Sequence, residues 1–144
     1  MARQIFSGAT SRTPFRTPGR GVFIAGTDTG VGKTLVACVL LRAFSTLGLR
    51  TVGMKPVAAG AARRGSVWYH DDVERLRAAA SVDVSREWIN PYCFAPAVAP
   101  HIAAAEAGRH IRLDVIERSY RRLQQYADIV VVEGVGGLAV PLSR

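Results

Sequence analysis

The 144-residue sequence lacks several features that would assign it to common classes of protein. It has only two cysteines, Cys38 and Cys93, so it holds neither a disulfide framework nor a cysteine-based metal site. No apolar run approaches the ~20 residues that a membrane-spanning helix needs. Residues 1–20 also lack the apolar core of a secretory signal. We therefore expect a soluble, cytoplasmic protein with no membrane partner.

Acidic residues are absent from the first 20 residues, which contain four arginines and are rich in Ser, Thr, Pro and Gly. We interpret residues 1–20 as a disordered basic extension, with an organelle transit peptide as the alternative. This extension supplies half of the net charge of +8, so the basic composition does not indicate a nucleic-acid partner. Residues 21–144 are long enough for one domain.

A Gly-rich segment, residues 26–34, joins an apolar run to the start of a helix. Residues 22–25 have the pattern of a buried parallel strand, and the residues after Thr34 have the apolar spacing of a helix. A Gly-rich turn that ends on Gly-Lys-Thr in this context is typical of a phosphate-binding loop. Gly26 stands one residue earlier than the common spacing places its glycine, and the structural alternative is a Gly-rich turn without a ligand.

The chemistry of this loop follows from its backbone. Its N–H groups would face phosphate oxygens, because glycine permits close approach and a helix N-terminus carries positive partial charge. Lys33 would reach the terminal phosphates, and the Thr34 hydroxyl would bind Mg²⁺. The residues predicted to bind nucleotide here are Thr29, Gly30, Val31, Gly32, Lys33 and Thr34.

Two further candidates follow predicted strands. Lys55 ends the strand predicted over residues 50–56, and Glu133 follows four β-branched residues in a strand predicted to be buried on both faces. Open α/β sheets bind ligands at this carboxyl edge. Lys55 is one of two lysines against seventeen arginines, which favours a function over a solvated surface lysine. Glu133 is a candidate Mg²⁺ ligand or simply a solvated strand end.

The remaining chain is predicted to alternate helices and loops. A helix starts near Asp71 and Asp72, where acidic side chains also favour the helix dipole without any ligand. The other predicted segments are a helix over 34–47 ending at Gly48, a mobile loop over 58–66, a proline-rich non-helical segment over 90–101, and helices over 101–107 and 113–127.

Five motifs occur in an order that resembles the dethiobiotin synthetase family, over residues 21–142. They are Gly26-Thr-Asp-Thr29 with Val31-Gly-Lys-Thr34, Lys55-Pro-Val-Ala58 with Gly60, Asn90-Pro-Tyr92 with Phe94, Pro100-His-Ile102, and Val132-Glu-Gly134 with Gly136-Gly137 and Pro141-Leu-Ser143.

The resemblance implies a three-layer α/β fold of the P-loop NTPase type, with a mostly parallel central sheet that ends here after its third core strand. It implies an ATP- and Mg²⁺-dependent ligase that converts 7,8-diaminopelargonate and CO₂ into dethiobiotin in biotin biosynthesis. Catalytic roles would fall to Lys33, Lys55 and Thr29, and Thr34, Asp72 and Glu133 would hold Mg²⁺, the two carboxylates also contacting the nucleotide. A homodimer is implied if the rest of the family's chain is supplied.

The sequence departs from the family at Gly30, where the best-known members carry glutamate, and at Ala59, where serine is usual. The family also continues for well over half as many residues again, with adenine contacts and a helix end that binds the substrate carboxylate across the dimer interface. Three alternatives remain. They are a non-catalytic nucleotide-binding fragment, a ParA/MinD-like ATPase, whose signature lysine would replace Asp28, and a small nucleotide kinase with an arginine-rich lid.

Overall fold

The computed structural model of the chain describes residues 18–143. Its elements, in chain order, are β1 (Arg20–Ile24), α1 (Lys33–Thr46), β2 (Thr51–Met54), β3 (Val57–Ala59), β4 (Ala62–Arg64), β5 (Val67–Tyr69), α2 (Asp71–Ala79), α3 (Arg86–Ile89), β6 (Tyr92–Phe94), α4 (Pro100–Glu106), α5 (Leu113–Tyr126) and β7 (Ile129–Glu133). Within this part of the chain, no helix is long and apolar enough to cross a membrane.

The central sheet has three parallel strands in the order β1-β7-β2. Val131 of β7 lies opposite Val22 of β1 and Gly53 of β2. The β-branched run of β7 is therefore the middle strand and is buried on both faces, as its composition predicts. Because the strands are parallel, Met54 and Glu133 end at the same edge of the sheet, next to the loop that follows β1.

Helices cover both faces of this sheet. One hydrophobic cluster joins α1 and α2 to β7, and its buried members are Ala37, Leu41, Leu76, Ala79, Ile129 and Val131. A second cluster lies mainly on the opposite face, where Ile89 of α3 and Leu123 of α5 pack with Val52, Met54 and Val130. Alternate residues of β7 thus serve the two clusters. The predicted three-layer α/β fold is confirmed.

The predicted helices are present, with boundaries that differ by one or a few residues. The end of α1 is specified locally, because Gly48 adopts a left-handed φ of 80°. Its N–H donates to the Ser45 carbonyl, and the Leu49 N–H donates to the Phe44 carbonyl. This pair of bonds is the Schellman motif, which satisfies the last carbonyl groups of a helix.

The prediction of a simple loop over residues 58–66 is wrong. Residues 57–59 form β3, which pairs in parallel with β6, and β4 and β5 form a hairpin that turns at Gly65. The hairpin strands have three residues each and are almost wholly exposed. Because neither strand has a buried face, their sequences do not alternate apolar and polar residues, which is the pattern that predicts a strand. The single turn of α3 was also missed, because four residues are too few for a helical period.

The predicted disordered extension overlaps the fold at its last residues. Gly19 donates to the Gln124 carbonyl at 3.1 Å, and Arg20 pairs with Ile129 as the first residue of β1. The extension stays a prediction for residues 1–17, which lie outside the described residues.

Candidate nucleotide site

The loop after β1 ends in a helix N-terminus that no side chain caps. Gly32 is the N-cap of α1, with a left-handed φ of 97°, and Gly30 has a φ of 79°. Residues other than glycine rarely adopt these backbone angles. The first turn of α1 also contains no acidic residue. Among residues 18–143 its N–H groups therefore have no side-chain acceptor, an arrangement that favours an anion.

Gly26 and Lys33 show how tightly this loop is folded. A Cβ atom on Gly26 would lie 2.7 Å from Val31 Cγ2 and 3.0 Å from Lys33 Cγ, so a larger residue would force these side chains to move. The close packing favours the glycine that is displaced from the common spacing. Lys33 is 8% exposed, and its Nζ donates to the Asp28 carbonyl oxygen at 2.5 Å. Its ammonium group is therefore held over the loop.

Lys55, Asp72, Glu133 and Thr34 meet at the carboxyl edge of the sheet. Lys55 Nζ lies 2.9 Å from Asp72 Oδ2 and 2.6 Å from Glu133 Oε1. Thr34 Oγ1 donates to the same Glu133 oxygen at 2.9 Å. Lys55 is 4% exposed and Glu133 is 1% exposed, so neither is a solvated strand end. The structure brings together all the side chains predicted to act at the phosphates and the metal, apart from Lys33, which lies over the adjacent loop.

Asp72 lies in the first turn of α2, but the cap of that helix is His70. The backbone N–H of Asp72 donates to His70 Nδ1 at 3.3 Å. His70 Nε2 therefore carries the proton and donates to the Ala59 carbonyl at 3.1 Å. This leaves the Asp72 carboxylate free to face Lys55.

The charge state of Asp72 is set by opposing effects. Burial raises the pKa of the Asp72 carboxyl, but the hydrogen bond and the charge of Lys55, together with the Thr34 hydroxyl, outweigh burial and hold this pKa below its usual value. Asp72 is therefore ionised at neutral pH and available to a cation.

The same oxygens fit a magnesium ion. Mg²⁺ prefers oxygen ligands and is usually bound by one or two carboxylates together with phosphates and water. Thr34, Asp72 and Glu133 supply one hydroxyl and two carboxylates, and Glu133 Oε2 is buried without a hydrogen-bond partner among the described residues. Nowhere in residues 18–143 do three His, Cys, Asp or Glu side chains form a metal cluster. The three side chains thus amount to part of a magnesium coordination shell, which normally also includes phosphate oxygens and water.

These residues line one cleft of about 690 Å³, which also contains Thr29, Gly30 and Gly32. The backbone N–H of Thr29 donates to Asp28 Oδ1 at 2.6 Å. Val31 does not line the cleft, because its side chain packs beside Gly26.

The profile of one protein family, described as AAA domain, matches residues 20–144.

The chain belongs to this AAA domain family. Its relatives include three proteins named ATP-dependent dethiobiotin synthetase BioD. The one from Nitrosospira multiformis is 54% identical over 125 residues, which cover 87% of this chain and 54% of the relative. The one from Aromatoleum aromaticum is 51% identical, over 88% of this chain and 56% of the relative. The one from Xylella fastidiosa strain Temecula1 is 47% identical, over 84% of this chain and 54% of the relative. The chain spans about half the length of these curated relatives, and the resemblance to the synthetase family is confirmed.

Two residues of this AAA domain were not singled out as site residues from the sequence. Asn90 is buried, and its Nδ2 donates to the carbonyl oxygens of Lys55 at 2.6 Å and Tyr92 at 3.0 Å. It therefore fixes the backbone of Lys55 from 35 residues away. Arg75 lines the cleft beside Asp72 and has no ion-pair partner within the described part of the chain. Asn90 belongs to one of the five motifs, but its role does not follow from the motif, and no pattern marks Arg75, because both roles depend on contacts between distant segments.

The AAA domain has a second, mostly apolar cavity of about 600 Å³ between the sheet and α5. Phe23 of β1, Met54 of β2 and Ile116 of α5 are among its lining residues. β1 is an edge strand in the described sheet, and Phe23 is 66% exposed. An apolar surface therefore continues from this cavity to the open edge of β1.

Proposed function

We propose that this chain forms the ATP- and Mg²⁺-binding part of a dethiobiotin synthetase. The observation that carries the proposal is the convergence of Lys33, Lys55 and two carboxylates on one cleft beside an uncapped helix N-terminus. The names of the relatives support the assignment to this enzyme rather than to another ATPase.

The proposed reaction has three steps. One amine of 7,8-diaminopelargonate takes up CO₂ as a carbamate, ATP phosphorylates the carbamate to a mixed anhydride, and the second amine attacks the carbonyl carbon. Phosphate then leaves, and the cyclic urea of dethiobiotin forms. No covalent bond to the protein is needed, so the chain contributes positioning and neutralisation of charge.

The position of each residue in the cleft suggests its role in the proposed reaction. The N–H groups of the loop would bind phosphate oxygens, and Lys33 would exchange the neutral Asp28 carbonyl for a charged phosphate oxygen, which is a stronger acceptor. Lys55 would neutralise carbamate and phosphate oxygens, and Thr29 would lie beside the carbamate. Thr34, Asp72 and Glu133 would hold Mg²⁺, which, when bound, neutralises charge on the terminal phosphates.

A non-catalytic nucleotide-binding chain is the second candidate. The observation that favours it is the outer edge of β1, which pairs with no strand among residues 18–143. Both candidates predict nucleotide binding, and only the synthetase predicts turnover with both substrates present.

The experiment that tests the proposed site compares two neighbouring aspartates. Asp72→Asn is expected to raise the Mg²⁺ concentration needed for ATP binding about tenfold, since it replaces a charged oxygen ligand by a neutral one. Asp71→Asn is the matched control, because Asp71 is exposed in the same helical turn. Calorimetric titrations with ATP at increasing Mg²⁺ measure both. Equal Mg²⁺ dependence in the two variants, with only a lower melting temperature for Asp72→Asn, would remove Asp72 from the metal site.

Arg75 gives a second prediction at this cleft. Arg75→Gln is expected to weaken ATP binding about fivefold, because an exposed ion pair is worth about 1 kcal/mol. Arg77→Gln makes the same change of charge in the same helix, but the Arg77 guanidinium pairs with Glu74 and Asp83 instead. It should leave the ATP affinity unchanged in the same titration. If both variants lost affinity equally, the effect would be one of net charge and not of a contact.

A further inference from the structure

The Lys55 ammonium lies where the carboxylates would bind a metal ion. It is bonded to Asp72 Oδ2 and to Glu133 Oε1 at once, and its side chain is 5% exposed. Its backbone is fixed on both sides, since Lys55 N donates to the Ile89 carbonyl at 2.9 Å and its carbonyl accepts from Asn90. Lys55 is therefore a buried cation held between the two acidic side chains.

These contacts compete with a metal ion for the two carboxylates. Mg²⁺ binds oxygen at about 2.0–2.1 Å and demands near-octahedral geometry. Glu133 Oε1 already accepts from Lys55 at 2.6 Å and from Thr34 at 2.9 Å. A divalent cation on these carboxylates, even on the Glu133 Oε2 that Lys55 leaves unpaired, would lie close to the ammonium group. The two cations would repel each other in a buried setting, where charges are poorly screened, so metal binding favours departure of the ammonium.

Building on the proposed function, we propose that Lys55 neutralises the metal site until nucleotide arrives, and that metal entry and transfer of Lys55 to the phosphates are one coupled exchange. The two carboxylates then have a cation in both states, which avoids a buried pair of unpaired negative charges. Mg²⁺ alone binds weakly, because the displaced ammonium gains no new acceptor. A nucleotide supplies that acceptor, so metal and nucleotide each strengthen the binding of the other.

The test measures Mn²⁺ binding to the nucleotide-free chain, by the electron paramagnetic resonance signal of free Mn²⁺. Lys55→Met is expected to bind Mn²⁺ at least tenfold more tightly than the wild type, and Lys55→Arg, which keeps the charge, is expected to bind it no more tightly. Adding Asp72→Asn to Lys55→Met should remove the gain. Equal affinity of the wild type and Lys55→Met, or a gain that survives Asp72→Asn, would overturn the exchange.

A second measurement needs no substitution at Lys55, so it decides the question even if Lys55→Met does not fold. The chain has only two lysines, so a sample labelled with ¹⁵N in lysine side chains gives two ammonium signals. Lys33→Arg identifies the signal of Lys33. Mg²⁺ with a non-hydrolysable ATP analogue should shift both signals, and the same Mg²⁺ concentration alone should leave Lys55 unchanged.

The outcomes separate the two proposals. A shift of Lys33 without any shift of Lys55 would overturn the exchange and leave nucleotide binding intact. No shift of either signal at saturating analogue would overturn nucleotide binding itself, and with it the exchange that depends on nucleotide.

Discussion

Replacing Lys33 by alanine is expected to weaken ATP binding about 10- to 100-fold, because a hydrogen bond to a charged group contributes about 1.5–3 kcal/mol. The Lys33 ammonium is held over the loop by the Asp28 carbonyl, at the uncapped start of α1. It is the only lysine at the loop, and the other lysine of the chain is already bonded to two carboxylates. Calorimetry with MgATP measures the loss.

The control for this variant must separate lost charge from a disturbed loop. Lys33→Ala also removes the bond to the Asp28 carbonyl, so its melting temperature is measured beside that of the wild type. Lys33→Arg keeps a positive charge and should retain part of the affinity. If the alanine variant bound MgATP as tightly as the wild type, the loop would not be the phosphate site.

The parts of the fold that the sequence predicts are those encoded by neighbouring residues. The β-branched run of β7, the apolar spacing of α1 and Gly48 after it each specify structure within a few residues. The hairpin of β4 and β5 has no buried face, so its sequence shows no period-two alternation of apolar and polar residues, and its composition is that of a loop. Its strands are recognised only by their pairing.

The candidate site divides in the same way. Lys33 and Thr34 belong to a local motif and follow from spacing, and Lys55 and Glu133 follow from their positions after predicted strands. The contacts that join them do not follow from the sequence, because Lys55 lies 17 residues from Asp72 and 78 residues from Glu133. The role of Asn90 does not follow from the sequence either, because the contact joins residues that are 35 positions apart. It depends on α3 and β6 returning beside the end of β2.

Dethiobiotin formation by the 144 residues alone is expected to be on the order of 100-fold slower than by a full-length relative, as for a loss of about 3 kcal/mol of transition-state stabilisation. The chain spans about half of each relative, and in the part of the chain that the structure describes, β1 has a hydrogen-bonded neighbour on one side only. Exposed Phe23 and the apolar cavity beside it make this edge prone to self-association. The resemblance also implies that a helix end outside these residues binds the substrate carboxylate.

The control for this prediction is the association state of the chain. Light scattering is expected to show concentration-dependent self-association of the isolated chain, and Phe23→Ser should reduce it. A monodisperse wild-type chain at all concentrations would contradict an accessible apolar edge.

The most direct measurement is dethiobiotin formation from diaminopelargonate, bicarbonate, Mg²⁺ and ATP, by this chain mixed with the separately expressed part of the Nitrosospira multiformis relative that it does not match. The proposed function predicts little product from either part alone, restored synthesis on mixing, and loss of that synthesis when the chain carries Lys33→Ala. Undiminished synthesis with Lys33→Ala, or no synthesis by a mixture shown to associate while the full-length relative is active, would contradict it.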